Sequence, residues 1–170
     1  MRLRPCIFVI IALAGLLAAP LFATSATNRN SAAAISTSSG RAAVEVRLQD
    51  LVEHLKARLA VPHDVSVAIV ADNPLMVSVE AQPGQKGAFR IAFERTFIET
   101  LTDSELEAVI AHELGHVWIF THHPFLQTEQ LANQIAMRVV SRQVIEAVYV
   151  KVRARGGHID RLPRFAATAN

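Results

Sequence analysis

The sequence predicts an α+β domain in which a small three-stranded sheet, mixed or antiparallel, packs against helices. Three observations support this fold class. An amphipathic helical segment comes first, three short runs rich in β-branched and aromatic residues follow, and two longer helical segments complete the order. The first of those two helices contains the pentapeptide His112-Glu113-Leu114-Gly115-His116, and the second is predicted as one long C-terminal helix.

The first helix is predicted from residue 44 to residue 60. Its apolar side chains recur every three or four residues, and charged residues lie between them, as on the surface helix of a soluble domain. Pro62 follows its end. The apolar positions are Val44, Leu48, Leu51, Val52, Leu55 and Leu59.

Three strands are predicted at residues 65–71, 75–81 and 88–93, because each run is short and rich in valine, isoleucine or phenylalanine. The first connection is Asp72-Asn73-Pro74, and the second contains Pro83-Gly84, both typical of turns. A short helix is predicted within residues 94–101.

A capping box predicts where the helix with the pentapeptide begins. Thr102 is followed three residues later by Glu105, so each side chain can accept a hydrogen bond from the other's backbone N–H. This helix is predicted to end near Phe120. The long C-terminal helix is predicted from Leu126 to Arg153, before Gly156-Gly157.

The N-terminus has the layout of a secretory signal peptide. Arg2 and Arg4 precede an uncharged apolar run at residues 7–19, and small residues follow Pro20. We predict a signal peptide over residues 1–23, with cleavage after Ala23 or Ala26, and an uncleaved anchor as the alternative. A disordered linker at 24–41, a folded domain at 42–155 and a flexible tail at 156–170 complete the organisation. The destination is the periplasm or the extracellular space.

Cysteine content and charge exclude several classes of site. Cys6, the one cysteine, lies in the predicted signal peptide, so the mature chain has no disulfide and no thiolate ligand. The chain has 17 Lys+Arg against 15 Asp+Glu and no basic patch interleaved with aromatic residues, so we predict no nucleic-acid partner. No later segment is long and apolar enough to span a membrane.

The pentapeptide predicts a catalytic metal site. His112 and His116 are four residues apart, so they lie on one face of a helix and can bind one metal ion. Zinc in a hydrolase takes three protein ligands and a water. Glu113 is predicted to be the general base that takes a proton from the zinc-bound water and passes it to the leaving amine.

Glu129 is the best candidate for the third zinc ligand. It begins the helix after the turn at His122-His123-Pro124, which allows that helix to fold back across the first. Asn133 is four residues further on, on the same face, and can hydrogen-bond a ligating histidine. His122 or His123 is the rival third ligand. Gly115 lowers helix propensity, which suggests close packing at that point.

Residues 101–116 resemble the helix that carries the HExxH motif in the HtpX-like zinc peptidases, the gluzincin family that includes the CAAX prenyl proteases. Asn73-Pro-Leu-Met and residues 88–93 resemble the strands before it, and Glu129-x-x-Ala132-Asn133 resembles its Glu-x-x-Ala-Asp segment. The resemblance implies a minimal gluzincin-like fold, one zinc ion on His112, His116 and Glu129, and catalysis by Glu113. Asn133 stands where the family usually has aspartate.

The predicted function is a secreted or periplasmic zinc metalloendopeptidase that acts on polypeptides. An extended substrate is expected to add as a strand to residues 88–93, if these lie at the sheet edge. Candidates for a donor that stabilises the transition state are Arg138, Arg142, Tyr149 and His123. The alternatives are an inactive zinc-binding module that regulates another protein, a toxin- or immunity-type factor, and a structural zinc site.

Overall fold

The computed structural model describes residues 31–156, with side chains from residue 40 onward. The predicted signal peptide, the linker up to residue 30 and the tail beyond residue 156 lie outside the described residues. The helices are α1 (Ser31–Leu59), α2 (Arg95–Ile98), α3 (Asp103–His122), α4 (Glu129–Ala136) and α5 (Arg142–Ala154), and a 3-10 turn spans Pro124–Leu126. The strands are β1 (Asp64–Val70), β2 (Val77–Ala81) and β3 (Ala88–Glu94). The predicted α+β class is confirmed.

The sheet is mixed and has the strand order β1-β3-β2. β3 pairs in parallel with β1, where Ile91 lies opposite Val67, and antiparallel with β2, where Ile91 lies opposite Val79. The expectation that residues 88–93 form a sheet edge is therefore wrong. Phe89, Ile91 and Phe93 are buried, which is typical of the central strand of a sheet that packs on helices.

Helix α1 covers the outer edge of β1. The Gln49 side chain donates to the Val65 carbonyl (2.8 Å) and accepts from the Val67 N–H (3.1 Å). One turn earlier, Glu45 accepts from the Ile69 N–H (3.2 Å). These contacts satisfy backbone groups that would otherwise be free to pair with another strand.

The buried stripe of α1 matches most of the predicted apolar positions. Leu48, Val52, Leu55 and Leu59 are buried, whereas Val44 is exposed. Residues 31–41, predicted as part of a disordered linker, are helical and form the first turns of α1. Extending an existing helix fixes one residue per added hydrogen bond, which is easier than nucleating a new one.

Helix α3 is the centre of the domain, because it packs against α1, α4, α5 and β2. Its inward side chains are fully buried together with residues from β3, α2 and α4. Large members of this core are Phe93, Phe97, Ile110, Leu114 and Ile135. The pentapeptide His112–His116 therefore lies on the helix that has the most buried residues among the described helices.

The prediction of one long C-terminal helix is wrong, because two separate helices, α4 and α5, occupy this segment. α4 ends with Met137 as its C-cap, and the Val139 and Val140 N–H groups both bond back to the Ala136 carbonyl. Ser141 then caps α5 by accepting from the Val144 N–H. Neither glycine nor proline marks this break, so Ser141, a residue type favoured at N-caps, is the available signal.

Among residues 31–156, no helix combines the length and the apolar character needed to cross a membrane.

Candidate metal centre

The start of α3 is fixed by the predicted capping box. Thr102 Oγ1 accepts from the Glu105 N–H (3.3 Å), and Glu105 Oε2 accepts from the Thr102 N–H (2.7 Å). The same oxygen accepts from Lys151 Nζ of α5 (2.6 Å). Burial opposes ionisation of Glu105, but these hydrogen bonds outweigh it and lower the pKa of its carboxyl. The helix that carries both histidines is thus tied to α5.

Gly115 allows α4 to pack closely against α3. A Cβ atom at this position would lie 2.7 Å from the Ala132 carbonyl oxygen and 3.0 Å from the Ala132 Cα. Both are backbone atoms, which cannot swing away as the end of a side chain can. The expected packing reason for Gly115 is therefore present, and it places α4 across the face that holds both histidines.

His112, His116 and Glu129 converge on one point. The Nε2 atoms of the two histidines are 3.1 Å apart. Glu129 Oε2 lies 3.2 Å from His112 Nε2, and Glu129 Oε1 lies 3.4 Å from His116 Nε2. The side chain of Glu129 is 61% exposed, whereas those of the histidines are 17% and 20% exposed. The site therefore opens to solvent on the side of Glu129.

The donor set and its spacing fit zinc. Two imidazoles and a carboxylate are a ligand set of catalytic zinc sites, and bonds of about 2.0–2.1 Å to a tetrahedral ion put ligands about 3.3 Å apart. The three contacts of 3.1–3.4 Å match that separation. The predicted third ligand, Glu129, lies where such a site requires it.

Each histidine is oriented through its other ring nitrogen. His112 Nδ1–H donates to Asn133 Oδ1 (2.8 Å), as predicted for Asn133. His116 Nδ1–H donates to Gln127 Oε1 (3.2 Å), and Gln127 Nε2 donates to the His116 carbonyl (3.3 Å). Both Nε2 atoms are thereby left to bind a metal. Gln127 was not among the predicted residues, because no sequence motif gives a signal for it.

Glu113 lies beside the histidines and close to Val79 of β2. It is 8% exposed, and burial raises the pKa of its carboxyl although the two histidines act in the opposite direction. The nearby backbone of Val79 in β2 also favours the charged form and so acts in the same direction as the histidines. A carboxyl with a raised pKa next to a metal site suits a group that accepts and returns a proton near neutral pH.

Electrostatic coupling links the Glu129 carboxylate to the two histidines. Partial desolvation of the carboxyl group opposes the shift, yet hydrogen bonds from His112 and His116 hold the pKa of Glu129 below its usual range. The same contact raises the pKa of His116 to about 9, again against burial. The negative carboxylate is therefore held against the two imidazoles.

The rival ligands lie elsewhere. The ring of His122 stacks on Trp118 with centroids 4.2 Å apart, and that of His123 lies 5.9 Å from the same indole. Neither belongs to the group of described side chains that can share a metal ion.

Of the four candidate donors for the transition state, Tyr149 is the one whose ring lies beside a ligand. Its centroid is 6.4 Å from that of His112. Arg138 and His123 instead contact Trp118, and Arg142 donates to Glu146 (2.8 Å).

The sequence profile described as Peptidase family M48 matches residues 42–169. Comparison with curated proteins gives no match. Among solved structures, the chain is similar to the crystal structure of the metallopeptidase zymogen of Pyrococcus abyssi abylysin. That similarity has a TM-score of 0.46 and 18% identity, and covers 64% of this chain and 93% of the other.

Proposed function

The chain belongs to peptidase family M48, and we propose that this metallopeptidase is a zinc-dependent endopeptidase that acts on extended polypeptides outside the cytoplasm. One observation carries the proposal: His112, His116 and Glu129 converge within ligand distance of a common point, with Glu113 buried next to them.

The role of each residue follows from its contacts. Zinc, when bound, would polarise the scissile carbonyl and lower the pKa of the attacking water. His112 and His116, held by Asn133 and Gln127, present Nε2 in fixed directions. Glu113 takes the proton of the attacking water on its carboxylate and returns it to the amine that leaves.

We propose that the substrate adds as a strand to β2 rather than to β3, whose two sides are both paired. The outer edge of β1 is covered by Glu45 and Gln49. In β2 the backbone N–H and C=O groups of the even-numbered residues point towards β3. Two hydrogen bonds at the ends of the pairing indicate this: the Glu94 N–H donates to the Met76 carbonyl, and the Gln82 N–H donates to the Ala88 carbonyl. The N–H and C=O groups of residues 77, 79 and 81 therefore point to the open edge, where Glu113 lies.

The proposed location outside the cytoplasm rests on the sequence. Arg2 and Arg4, the apolar run that follows and the small residues after Pro20 support a cleaved signal peptide. Cell fractionation and N-terminal sequencing of a C-terminally tagged chain test it. A protein recovered from the cytoplasm with Met1 intact would contradict this part of the proposal.

The central test measures zinc content and cleavage of an unfolded protein or peptide, for the unmodified chain and for Glu113→Gln. We expect about one zinc per chain in both proteins. We expect activity to fall by about 10²–10⁴-fold in the variant, because proton transfer is lost while the ligands stay. Glu107→Gln, on the same helix but outside the site, is the matched control and should keep full activity.

The same measurement distinguishes the alternative of an inactive zinc-binding module. Full zinc occupancy without cleavage of any unfolded substrate would refute the peptidase proposal and favour that alternative. Cleavage that persists in Glu113→Gln would show that another group acts as the base.

The strand-addition proposal has its own test. Ala81→Pro removes one outward N–H of β2, and proline is tolerated at a position that does not bond to the neighbouring strand. We expect KM for a peptide to rise several-fold while kcat changes little, because the catalytic groups stay in place. An unchanged KM would contradict binding along this part of β2.

A further inference from the structure

We propose that Phe120 and Phe125 form an apolar subsite beside the metal centre, which selects polypeptides with a large apolar side chain about two or three residues from the bond that is cut. The inference rests on the proposed peptidase function and names its class of substrate, which is unfolded segments that expose apolar residues.

Exposed apolar side chains are concentrated directly after the part of α3 that carries the histidines. Among residues 40–156, seven large apolar side chains are exposed, and three of them, Phe120, Phe125 and Leu126, fall within seven successive residues. Phe125 is 98% exposed and Leu126 is 54% exposed. Single exposed apolar residues are common on protein surfaces, whereas a group of them marks a surface that binds another molecule.

Phe120 lies on the side of α3 that carries the catalytic groups. It follows His116 by four residues and Glu113 by seven, so the three side chains occupy neighbouring parts of one side of the helix. The Phe120 ring meets the Phe89 ring edge-on, with centroids 5.6 Å apart. Phe89 in turn lies opposite Ala81, the last residue of β2. Phe120 is therefore close to one end of the strand to which the substrate is proposed to add.

The turn that carries Phe125 is fixed against the metal site. A proline opens this turn, and the Leu126 N–H closes it by donating to the His123 carbonyl (2.9 Å). Gln127 follows directly and makes two hydrogen bonds to His116 (3.2 and 3.3 Å). Phe125 is two residues from Gln127, so their Cα atoms lie within about 7.6 Å of each other. A rigid turn thus presents Phe125 beside a metal ligand, and little conformational freedom is lost when it binds.

The spacing along α3 determines which substrate residue reaches this surface. Four residues of helix rise about 6 Å and seven rise about 10 Å, whereas an extended chain rises about 3.3 Å per residue. Phe120 is therefore about two or three substrate residues away from the reacting carbonyl. Successive side chains of an extended chain point to opposite faces, so one of these two positions faces α3 and should show the preference.

The chemistry of the two phenylalanines determines the class of side chain that they accept. Neither ring can replace the hydrogen bonds that a polar or charged substrate side chain makes with water. A leucine, methionine or aromatic side chain instead gains by leaving water. Such side chains are mostly buried in folded proteins, so the subsite directs the peptidase to unfolded or partly unfolded chains.

The test measures how one substrate position affects cleavage. Cleavage sites of the zinc-loaded full chain in a reduced, unfolded protein are mapped by mass spectrometry, which identifies the enriched position. Two synthetic peptides then carry leucine or serine at that position. We expect kcat/KM to be about tenfold higher for the leucine peptide. In Phe125→Ser we expect this ratio to fall to about twofold or less, with unchanged cleavage of the serine peptide.

Two further variants separate the subsite from general effects on the protein. Phe125→Leu keeps an apolar side chain and should keep most of the preference. Val46→Ser, at a side chain of α1 that is 62% exposed, is the matched control and should keep the full ratio. Because Phe125 is itself almost fully exposed, its replacement removes few contacts of the fold, and thermal unfolding of all variants should be alike.

Each contrary outcome has a definite meaning. Cleavage sites without an apolar preference two or three residues from the cut, or a ratio that Phe125→Ser leaves unchanged, would overturn this inference alone. So would sedimentation with vesicles of phosphatidylcholine and phosphatidylglycerol that is lost in Phe125→Ser while the peptide preference stays, because the surface would then bind a membrane. A zinc-loaded chain that cleaves no unfolded substrate would overturn the proposed function together with the inference.

Discussion

Replacing Gly115 with alanine tests how closely the metal site depends on the contact between α3 and α4. The added Cβ would lie 2.7 Å from the Ala132 carbonyl oxygen, whereas ordinary contacts begin near 3.4 Å. α4 would therefore have to move away by about 0.7 Å. Metal–ligand distances tolerate only about 0.2 Å, and Glu129 lies on the same helix, three residues before Ala132.

Two effects of opposite sign act in Gly115→Ala. Alanine is favoured over glycine in a helix by about 1 kcal/mol, and overpacking destabilises a core by about 1–3 kcal/mol. Gly40→Ala in α1 is the matched control, because nothing lies within 4 Å of a Cβ there. It should show the helix-propensity gain without the clash.

Urea unfolding and zinc titration of both variants check this reasoning. We expect Gly40→Ala to be as stable as the unmodified protein or slightly more stable, with unchanged zinc affinity. We expect Gly115→Ala to fall below the control in stability by about 1–3 kcal/mol and to bind zinc at least about tenfold more weakly. If the two variants gained the same stability and kept the same zinc affinity, the close contact would not constrain the site.

Three further predictions concern the third ligand, the cap and the sheet edge. Glu129→Ala should lose zinc on dialysis while the fold persists in circular dichroism, because one of three ligands is gone. Glu105→Gln should lower the free energy of unfolding by about 1–3 kcal/mol at pH 7, since a buried charged hydrogen bond to Lys151 is lost. That difference should shrink in acid, because a carboxyl with a lowered pKa in the folded state loses its stabilising effect as it becomes protonated. Gln49→Ala should lower unfolding free energy by about 1–3 kcal/mol, because two backbone groups of β1 lose their partner.

Each of these has a clear contrary result. Full zinc retention in Glu129→Ala would mean that the ligand is misassigned. A stability loss in Glu105→Gln that is the same at pH 3 and pH 7 would show that the ion pair with Lys151 is not its source. A Gln49→Ala protein as stable as one carrying an exposed control change, such as Gln85→Ala, would mean that water replaces the glutamine without loss.

Local patterns were sufficient to predict most of the elements and the three side chains that lie close enough to share a metal ion. The Thr102–Glu105 box, the spacing of His112 and His116 and the position of Glu129 depend on residues close together in the sequence. Membership of family M48 confirms the resemblance drawn from the same residues.

The failures of prediction involve contacts between distant segments. Whether β3 lies in the middle or at the edge depends on how three strands assemble, which no single strand determines. The break after Ala136 replaces one helix by two that meet α3 separately, and it brings Tyr149 to the metal site. Gln127 contacts His116 only because the turn at Pro124 folds back over α3.

The cover that α1 provides for β1 also bears on how the protein behaves at high concentration. An open strand edge is a template for any other extended chain, including a second copy or a partly unfolded one. Gln49 and Glu45 cover the outer edge of β1, so among the described strands β2 is the one with an uncovered edge. It is five residues long, and Glu80 forms an ion pair with Arg90 on its surface. Short length and surface charge both discourage aggregation, so β2 has little tendency to pair with further copies of the protein although its edge is open.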